Sequence, residues 1–502
     1  MMIRSIAAGH RLKPFLSLLA KIENNSTSRQ RFFHDTHCLK IKDEDSQKGP
    51  TTHHTKFMNP IVRALWEQRQ ATQQRIRSLA DQDSETSRSG IIPQELDATT
   101  MTEGRRKKGH FEKVKFRHPS ESKTTIDYNF STDEFLREAY KSPGGAMRFG
   151  KVLEDLDALA GNIAFHHVIG GDVMLVTAAV DRIALKDIPV LERDQRLSGQ
   201  VTFVGSSSME IRMQIHEIEN DDDDDDDDEN KDGSCEHWLE GYFTFVAVDP
   251  ETKKPVKICP LIPETSEERA LFELGALKAA KKKEARKKQI GAGLPITAEV
   301  LEMNKRAEQL MIDAFPLIKM PSLADPQAIL MSHTQMMNTL IAQPQVRNLS
   351  NTIFGGFLMR RAFELAFSNA YSFGGEWPQM LEVDNITFNA PVYVGDLLQF
   401  NSRVIYSLPH GGQLDEVKRH SSKPLVMIEV ECYVMEPEIS SAHLSNRFYF
   451  TFVLPTKETC KKVLPASSEE ANRMVQRMVA DEEQSSLGKG YLSQYDLLSR
   501  GK

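Results

Sequence analysis

The chain has 502 residues, of which 40% are hydrophobic and 27% are charged. A chain of this length can bury two cores of ordinary domain size and leave about a hundred residues for termini and linkers. The formal net charge of -8 equals that of the aspartate run 221–228, so the rest of the chain is close to neutral. The overall charge therefore gives no signal of nucleic-acid binding, and none is predicted.

Cysteine content and hydropathy exclude further classes. The five cysteines are odd in number and form no Cys-x-x-Cys pair, so we expect neither a disulfide framework nor a zinc site. No apolar stretch approaches the 18 or so residues that would span a bilayer, and no integral membrane segment is predicted.

The amino terminus is basic and apolar, and its first acidic residue is Glu23. This pattern predicts a mitochondrial presequence over residues 1–33 and a location in the matrix, the alternative being an ordinary frayed basic terminus. Residues 34–119 are polar and are predicted to be a mostly disordered linker, with one helical segment over 61–76.

Helical spacing of apolar residues over 150–166 predicts a core-facing helix. Strand-like segments follow at 173–180, 200–204, 209–218 and 238–248. One long helix followed by short strands predicts an α+β domain over 120–255. The aspartate run falls between the last two strands and is interpreted as a hairpin insertion, because it lacks the glycine and spaced acids of a calcium loop.

The same order of elements recurs downstream and predicts a second domain over 326–455. Its helix is expected over 357–371 and its strands over 380–388, 397–406, 424–435 and 447–454. Three landmarks repeat with offsets of 203, 202 and 202 residues, which indicates a duplication; they are Val180-Asp-Arg-Ile183 with Val383-Asp-Asn-Ile386, Pro189 with Pro391, and Asp194 with Asp396.

Residues 256–325 are predicted to form a helical, lysine-rich connector, and residues 456–502 a C-terminal tail. The basic helix of the connector, over 267–288, is interpreted as solvated, with contact to an anionic ligand as the alternative.

A candidate site lies where the second helix begins, because Gly355 and Gly356 follow directly after Asn348 and Asn351. The first N–H groups of a helix have no internal partners, and glycine lets a ligand approach them closely. Such a helix start can hold and polarise a carbonyl oxygen. A fainter copy of the unit precedes Gly150.

On these residues the chain resembles the double-hotdog acyl-CoA thioesterases, most closely the mitochondrial acyl-coenzyme A thioesterase 9 type, over roughly 120–455. The resemblance rests on Met147-Arg-Phe-Gly-Lys-Val-Leu-Glu-Asp-Leu-Asp157 in the first half and, in the second, on Asn351-Thr-Ile-Phe-Gly-Gly-Phe-Leu-Met-Arg-Arg361 with Ser372-Phe-Gly-Gly375. It implies two tandem hotdog domains, each an antiparallel sheet wrapped around a central helix, forming an intramolecular pseudo-dimer.

The resemblance also implies a function. It implies hydrolysis of acyl-CoA to a carboxylic acid and coenzyme A in lipid metabolism, without metal or cofactor, and a homo-oligomer of pseudo-dimers. The competing interpretation is a non-catalytic acyl-CoA sensor or scaffold. A hotdog hydratase is disfavoured, since neither 145–150 nor 348–356 contains histidine.

The family pattern places an Asn seven residues before the glycine pair and an acid seven residues after its second glycine, on opposite units. The second half has Asn348, but Phe363 stands at its acid position; the first half has Asp157, but Ser142 stands at its Asn position. We therefore expect one competent composite site, built from Asp157 and Asn348, and one degenerate site.

The expected roles follow from the chemistry of thioester cleavage. The N–H groups of Gly355 and Gly356 would polarise the carbonyl, and Asn348 would orient the water or the thioester. Asp157 would take the proton of the water, or attack directly as a nucleophile.

Several assignments stay open. Helical periodicity alone does not separate Asp157 from Asp155. Asn351 is predicted to form the turn, and it replaces Asn348 if the register is shifted. Glu364 is a weaker candidate acid for a second site. Three arginines near the helix starts are predicted to meet coenzyme A phosphates, with a solvated face as the alternative; they are Arg148, Arg360 and Arg361.

Overall fold

The computed structural model describes residues 65, 116–168, 173–186, 189–218, 237–290, 298–348, 352–410 and 423–483. The predictions for the presequence, the aspartate run and Asn351 therefore lie outside the described residues, as do those for most of the 34–119 linker. Of the predicted helical segment 61–76 only Leu65 is described, and it is helical and buried.

The first half builds one long helix and five antiparallel strands. Its elements are α1 (Pro119–Ser122), β1 (Thr124–Tyr128), α2 (Glu134–Tyr140), α3 (Phe149–His167), β2 (Met174–Leu185), β3 (Gln195–Val204), β4 (Ser208–Glu217) and β5 (Leu239–Val248). The strands follow the order β1-β3-β4-β5-β2 across the sheet. The apolar stripe of α3 is buried against them, as the helical spacing predicts.

The second half follows after two helices, α4 (Ser266–Ile290) and α5 (Ala298–Lys319). It comprises β6 (Ala328–Leu330), β7 (Met336–Ile341), α6 (Gly355–Gly374), β8 (Gln379–Phe388), β9 (Leu397–Leu408), β10 (Leu425–Glu436), β11 (Ser441–Val453) and β12 (Lys462–Leu464). A further helix, α7, covers residues 468–483. The strand order β7-β9-β10-β11-β8 repeats that of the first half.

The two halves join through an antiparallel pairing of β2 with β8, which makes one ten-stranded sheet. Val180 pairs with Ile386, and Ile183 pairs with Val383. Val383 and Ile386 are the counterparts of Val180 and Ile183 at the 203-residue offset, so each residue pairs with the counterpart of the other across the seam, that is, the pairing of β2 with β8. A self-complementary contact of this kind is what two copies of one unit form around a two-fold axis, and it agrees with the predicted duplication.

Helices α4 and α7 cover equivalent places on the sheet face opposite to α3 and α6. Lys282 of α4 forms an ion pair with Asp181, and Arg477 of α7 forms one with Asp384. The two aspartates are the acids of the repeated Val-Asp motif, so this motif anchors a covering helix in each half. The lysine-rich helix is therefore partly engaged with acids of its own chain.

Candidate active site

Asp157 lies on the open amino terminus of the central helix of the opposite half. One carboxylate oxygen accepts a hydrogen bond from the backbone N–H of Gly356 at 2.6 Å, and the other accepts one from the hydroxyl of Thr177 at 3.1 Å. The side chain is 1% exposed. A carboxylate at this position is favoured by the unpaired N–H groups and the positive end of the helix dipole.

Glycine suits both positions of the pair because the two halves approach closely there. A Cβ atom on Gly355 would lie 3.0 Å from a carboxylate oxygen of Asp157, and one on Gly356 would lie 2.9 Å from Cα of Glu154. The glycine pair thus lets α3 reach the first turn of α6.

Burial raises the pKa of Asp157 to about 6, against the opposing effect of the hydrogen bonds from Gly356 and Thr177. The negative charge of Glu154 also raises this pKa. A carboxylate with this pKa is mostly ionised at neutral pH and is a stronger base than an exposed aspartate. Both properties suit a group that removes a proton from water.

We expect the kcat/KM for a thioester substrate to fall about tenfold for each pH unit below 6, because only the ionised Asp157 can accept a proton. Lowering the pH has the opposite effect on folding, because it stabilises the folded protein at this residue. Since the folded-state pKa lies above the unfolded value, the free energy cost of burying this charge disappears as the pH falls from about 6 to about 4. A pH–rate profile between pH 4.5 and 8 checks the prediction, and a flat profile would contradict it.

Asn348 lies in the turn that leads into α6. Its side-chain oxygen accepts hydrogen bonds from the backbone N–H and the hydroxyl of Thr352, both at 3.1 Å. The turn is closed by backbone bonds from Asn348 N–H to the Thr352 carbonyl and from Phe354 N–H to the Val346 carbonyl. Asp157, Gly355 and Gly356 are thus in direct contact, and Asn348 is held in the segment that immediately precedes them.

The other interface between the helices has a phenylalanine in the equivalent place. Gly150 is the counterpart of Gly356. A Cβ atom on Gly150 would lie 3.4 Å from the ring of Phe363, whereas Gly356 contacts Asp157. The hydroxyl of Ser142 is buried and has no hydrogen-bond partner among the described residues. Phe363 and Ser142 thus stand at the two positions of this interface where the family pattern has an acid and an amide.

The three arginines converge on Glu364. Arg148, Arg360 and Arg361 each donate to its carboxylate, at 3.0, 3.1 and 3.2 Å, and Arg360 also donates to Glu154 at 3.0 Å. Burial opposes ionisation of Glu364, but the arginines hold its pKa below its usual range. Glu364 is therefore a charged member of an ion-pair network between the halves. Arg148 and Arg361 keep 41% of their side chains exposed, and their contact with coenzyme A stays a prediction.

The structure separates the two acids that periodicity left unresolved. Asp155 is fully buried within the first half, where the hydroxyls of Tyr128 and Tyr140 donate to it. Burial raises its pKa to about 8, so Asp155 is mostly neutral at pH 7. It ties the segment before α3 to the first core.

Sequence reasoning did not identify Thr177 or Phe388 at this site. Thr177 bonds to Asp157, and the ring of Phe388 lies 3.2 Å from the position that a Cβ on Gly355 would take. Both belong to strands that the sequence predicts, β2 and β8, but no motif marks them. Their signal is their position, close to the seam where the two strands pair.

In the part of the chain that the structure describes, no group of three or more His, Cys, Asp or Glu side chains could hold a metal ion. Within that same part, no helix combines the length and the hydropathy that crossing a bilayer requires.

A buried acid on a glycine-rich helix start from the opposite half is the arrangement expected of the acyl-CoA thioesterases that the sequence resembles. The chain is 40% identical over 375 residues to acyl-coenzyme A thioesterase 2, chloroplastic, of Humulus lupulus, with 72% of this chain and 81% of that protein covered. It is 33% identical over 327 residues to acyl-coenzyme A thioesterase 9, mitochondrial, of Homo sapiens, with 63% and 68% covered. The chain belongs to the acyl-coenzyme A thioesterase family, and the predicted resemblance is confirmed.

An acyl-CoA hydrolase structure from Staphylococcus aureus, in complex with butyryl coenzyme A, coenzyme A and coenzyme A disulfide, matches with a TM-score of 0.27 and 23% identity. That match covers 33% of this chain and 99% of the other. No protein-family profile matches the chain.

Proposed function

We propose that this chain hydrolyses acyl-CoA to a carboxylic acid and coenzyme A, at one composite site between two tandem hotdog domains that form an intramolecular pseudo-dimer. The observation that carries the proposal is the contact of buried Asp157 with the N–H of Gly356, across the two halves. Each half contributes what the other lacks, since the first supplies the acid and the second supplies the helix start and Asn348.

The two glycines have different roles in this mechanism. The N–H of Gly356 is engaged by Asp157, so it holds the acid in place. We assign polarisation of the thioester carbonyl to the N–H of Gly355, at the first position of α6. A well-placed donor of this kind is worth roughly 3 kcal/mol of transition-state stabilisation.

Asp157 removes a proton from the attacking water, and Asn348 orients that water or the thioester. Attack on the carbonyl carbon then expels coenzyme A as a thiolate, and the products are the carboxylic acid and the free thiol. Direct attack by Asp157, through an anhydride, is the second pathway. Hydrolysis in labelled water under single-turnover conditions tests for the anhydride, because label enters the Asp157 carboxyl group only when water attacks the aspartyl carbonyl of that intermediate.

We also propose the mitochondrial matrix as the location and a homo-oligomer of pseudo-dimers as the assembly. Relatives named as mitochondrial and as chloroplastic support an organellar location. Fusion of residues 1–33 to a fluorescent reporter tests the location, because the reporter should enter mitochondria. Light scattering of the purified protein tests the assembly, and a single 56.8 kDa species would contradict it.

The Asn348→Ala variant tests the assigned role of the amide. We expect kcat to fall about 100-fold, because the variant no longer orients the reacting groups. The assay uses a panel of acyl-CoA substrates with thiol detection, and Asn351→Ala is the matched control for the register of the motif. A larger loss in the Asn351 variant would move the role to that residue. Tight binding of acyl-CoA without turnover by the wild type would instead favour the non-catalytic sensor.

A further inference from the structure

A buried amide with an unused hydrogen-bonding atom lies close to the site. Asn446, on β11, is 0% exposed. Its side-chain oxygen lies 2.6 Å from the hydroxyl of Ser445, and its side-chain nitrogen has no hydrogen-bond partner among the described residues. A buried amide group without a partner costs free energy, so the fold retains Asn446 against a stability penalty.

The strand register places this amide beside the start of α6. Asn446 is directly opposite Phe388 on β8 and directly opposite Cys432 on β10. Directly opposed residues of an antiparallel pair project from the same face of the sheet. The ring of Phe388 in turn lies against Gly355, whose own Cβ position is next to Asp157. Asn446 is therefore one strand spacing away from an aromatic ring that borders the site.

A β-bulge produces this arrangement. Cys432 pairs with Asn446 and Tyr433 pairs with Leu444, so Ser445 has no opposite residue on β10. Ser445 and Asn446 are both fully buried as a result. Bulges of this kind re-aim side chains and are frequent next to active sites.

The first half shows that the fold does not need an amide there. Its equivalent pair is Leu239 on β5 opposite Leu185 on β2, and both leucines are buried. The polar residue stands in the second half, whose helix start receives Asp157. The amide and the proposed site thus both occur at the helix start of the second half, and neither has a counterpart in the first half.

We propose that Asn446 binds a hydroxyl group on the acyl chain, so that the enzyme favours hydroxyacyl-CoA substrates over unsubstituted ones. This inference rests on the proposed thioesterase function. The hydroxyl of Ser445 has one proton and also lies 2.9 Å from the Ala390 carbonyl. Whichever way the amide of Asn446 is turned, this hydroxyl can bond to only one of its two polar atoms, the oxygen or the nitrogen. A substrate hydroxyl both donates and accepts, and it matches the remaining atom in both cases.

The test compares hexanoyl-CoA with its 3-hydroxy and 6-hydroxy derivatives, which place the hydroxyl near to and far from the thioester. For the wild type we expect a higher kcat/KM for at least one hydroxyacyl-CoA than for hexanoyl-CoA. Asn446→Leu copies the residue of the first half. In this variant, the kcat/KM for the favoured hydroxyacyl-CoA divided by that for hexanoyl-CoA should fall at least tenfold. Asn446→Ala serves as a second variant if the larger side chain prevents folding.

Asn369→Ala is the matched control, because Asn369 is a buried amide of the same half whose nitrogen donates to Thr334 and Ser402. Its ratio should equal that of the wild type. Equal ratios in the wild type and in both Asn446 variants would overturn the proposal and would mean that only a water molecule meets the amide. A wild type that cleaves none of the three thioesters would overturn the proposed function itself, which is a distinguishable result.

Discussion

The Asp157→Asn variant is expected to lose about 1,000-fold or more in kcat while remaining folded. Asparagine is nearly the same size as aspartate, and its oxygen still accepts the hydrogen bond that Gly356 donates. What it lacks is the negative charge that takes a proton from water, a contribution typically worth 10²–10⁴ in rate. Steady-state hydrolysis of a short acyl-CoA, with thermal unfolding measured on the same preparation, checks both parts of the prediction.

The neighbouring acid provides the control for this variant. Asp155→Asn changes a carboxyl group two residues away on the same helix, and that group is already mostly neutral at pH 7, because burial raises its pKa to about 8. The hydroxyls of Tyr128 and Tyr140 can still donate to the amide oxygen. We expect a kcat within about threefold of the wild type. Similar losses in the two variants would indicate damage to α3 rather than loss of a base.

Much of the fold was predictable because apolar periodicity carries it. The predicted α+β class is confirmed, and both central helices and the long strands lie where the pattern predicts, with ends that differ by up to six residues. β3 begins five residues before its predicted start, at Gln195, because Leu197 is the only large apolar residue in its first part, 195–200, and gives no alternating pattern. The recurrence of the element order was also predictable, and the strand order of one half repeats in the other.

The elements that sequence reasoning missed have weak local patterns. β1 and β7 are the two edge strands of the sheet, and four of the six residues of β7 are exposed, so little alternation marks it. Helix α7 lies within the predicted C-terminal tail. Its Arg477 is buried only because Asp384 and Asp481 neutralise it, and a sequence does not show such long-range pairing.

The site also contains residues that the sequence predicted and residues that it did not. The family pattern selected Asp157 and the glycine pair, and their direct contact is a geometric fact of the structure. Thr177, Phe388 and Asn446 reach the same region through strand register and a bulge, which depend on how two distant segments pair. Spacing along the chain carries no such information, so these residues emerge only from the folded structure.

Gly356→Ala is expected to reduce both activity and stability, because the added methyl group would meet the backbone of α3 as well as an aromatic ring. Its Cβ would lie 2.9 Å from Cα of Glu154, 3.0 Å from the Glu154 carbonyl oxygen and 2.8 Å from the ring of Phe354. The backbone of α3 must then move away from α6, and the hydrogen bond from Gly356 to Asp157 lengthens or breaks. We expect kcat/KM to fall about 100-fold and the free energy of unfolding to fall by about 1–3 kcal/mol.

Gly161→Ala is the matched control for this prediction. Gly161 lies inside α3, and a Cβ there would meet only the ring of Phe245, at 3.9 Å, which is ordinary van der Waals contact. Since alanine favours a helix interior over glycine by up to about 1 kcal/mol, this variant should be as stable as the wild type or more stable, with unchanged kcat. Urea unfolding and acyl-CoA hydrolysis measured on both variants compare them directly. Wild-type activity in Gly356→Ala would show that α3 and α6 tolerate a wider separation, and that the site does not depend on the contact between Asp157 and the helix start.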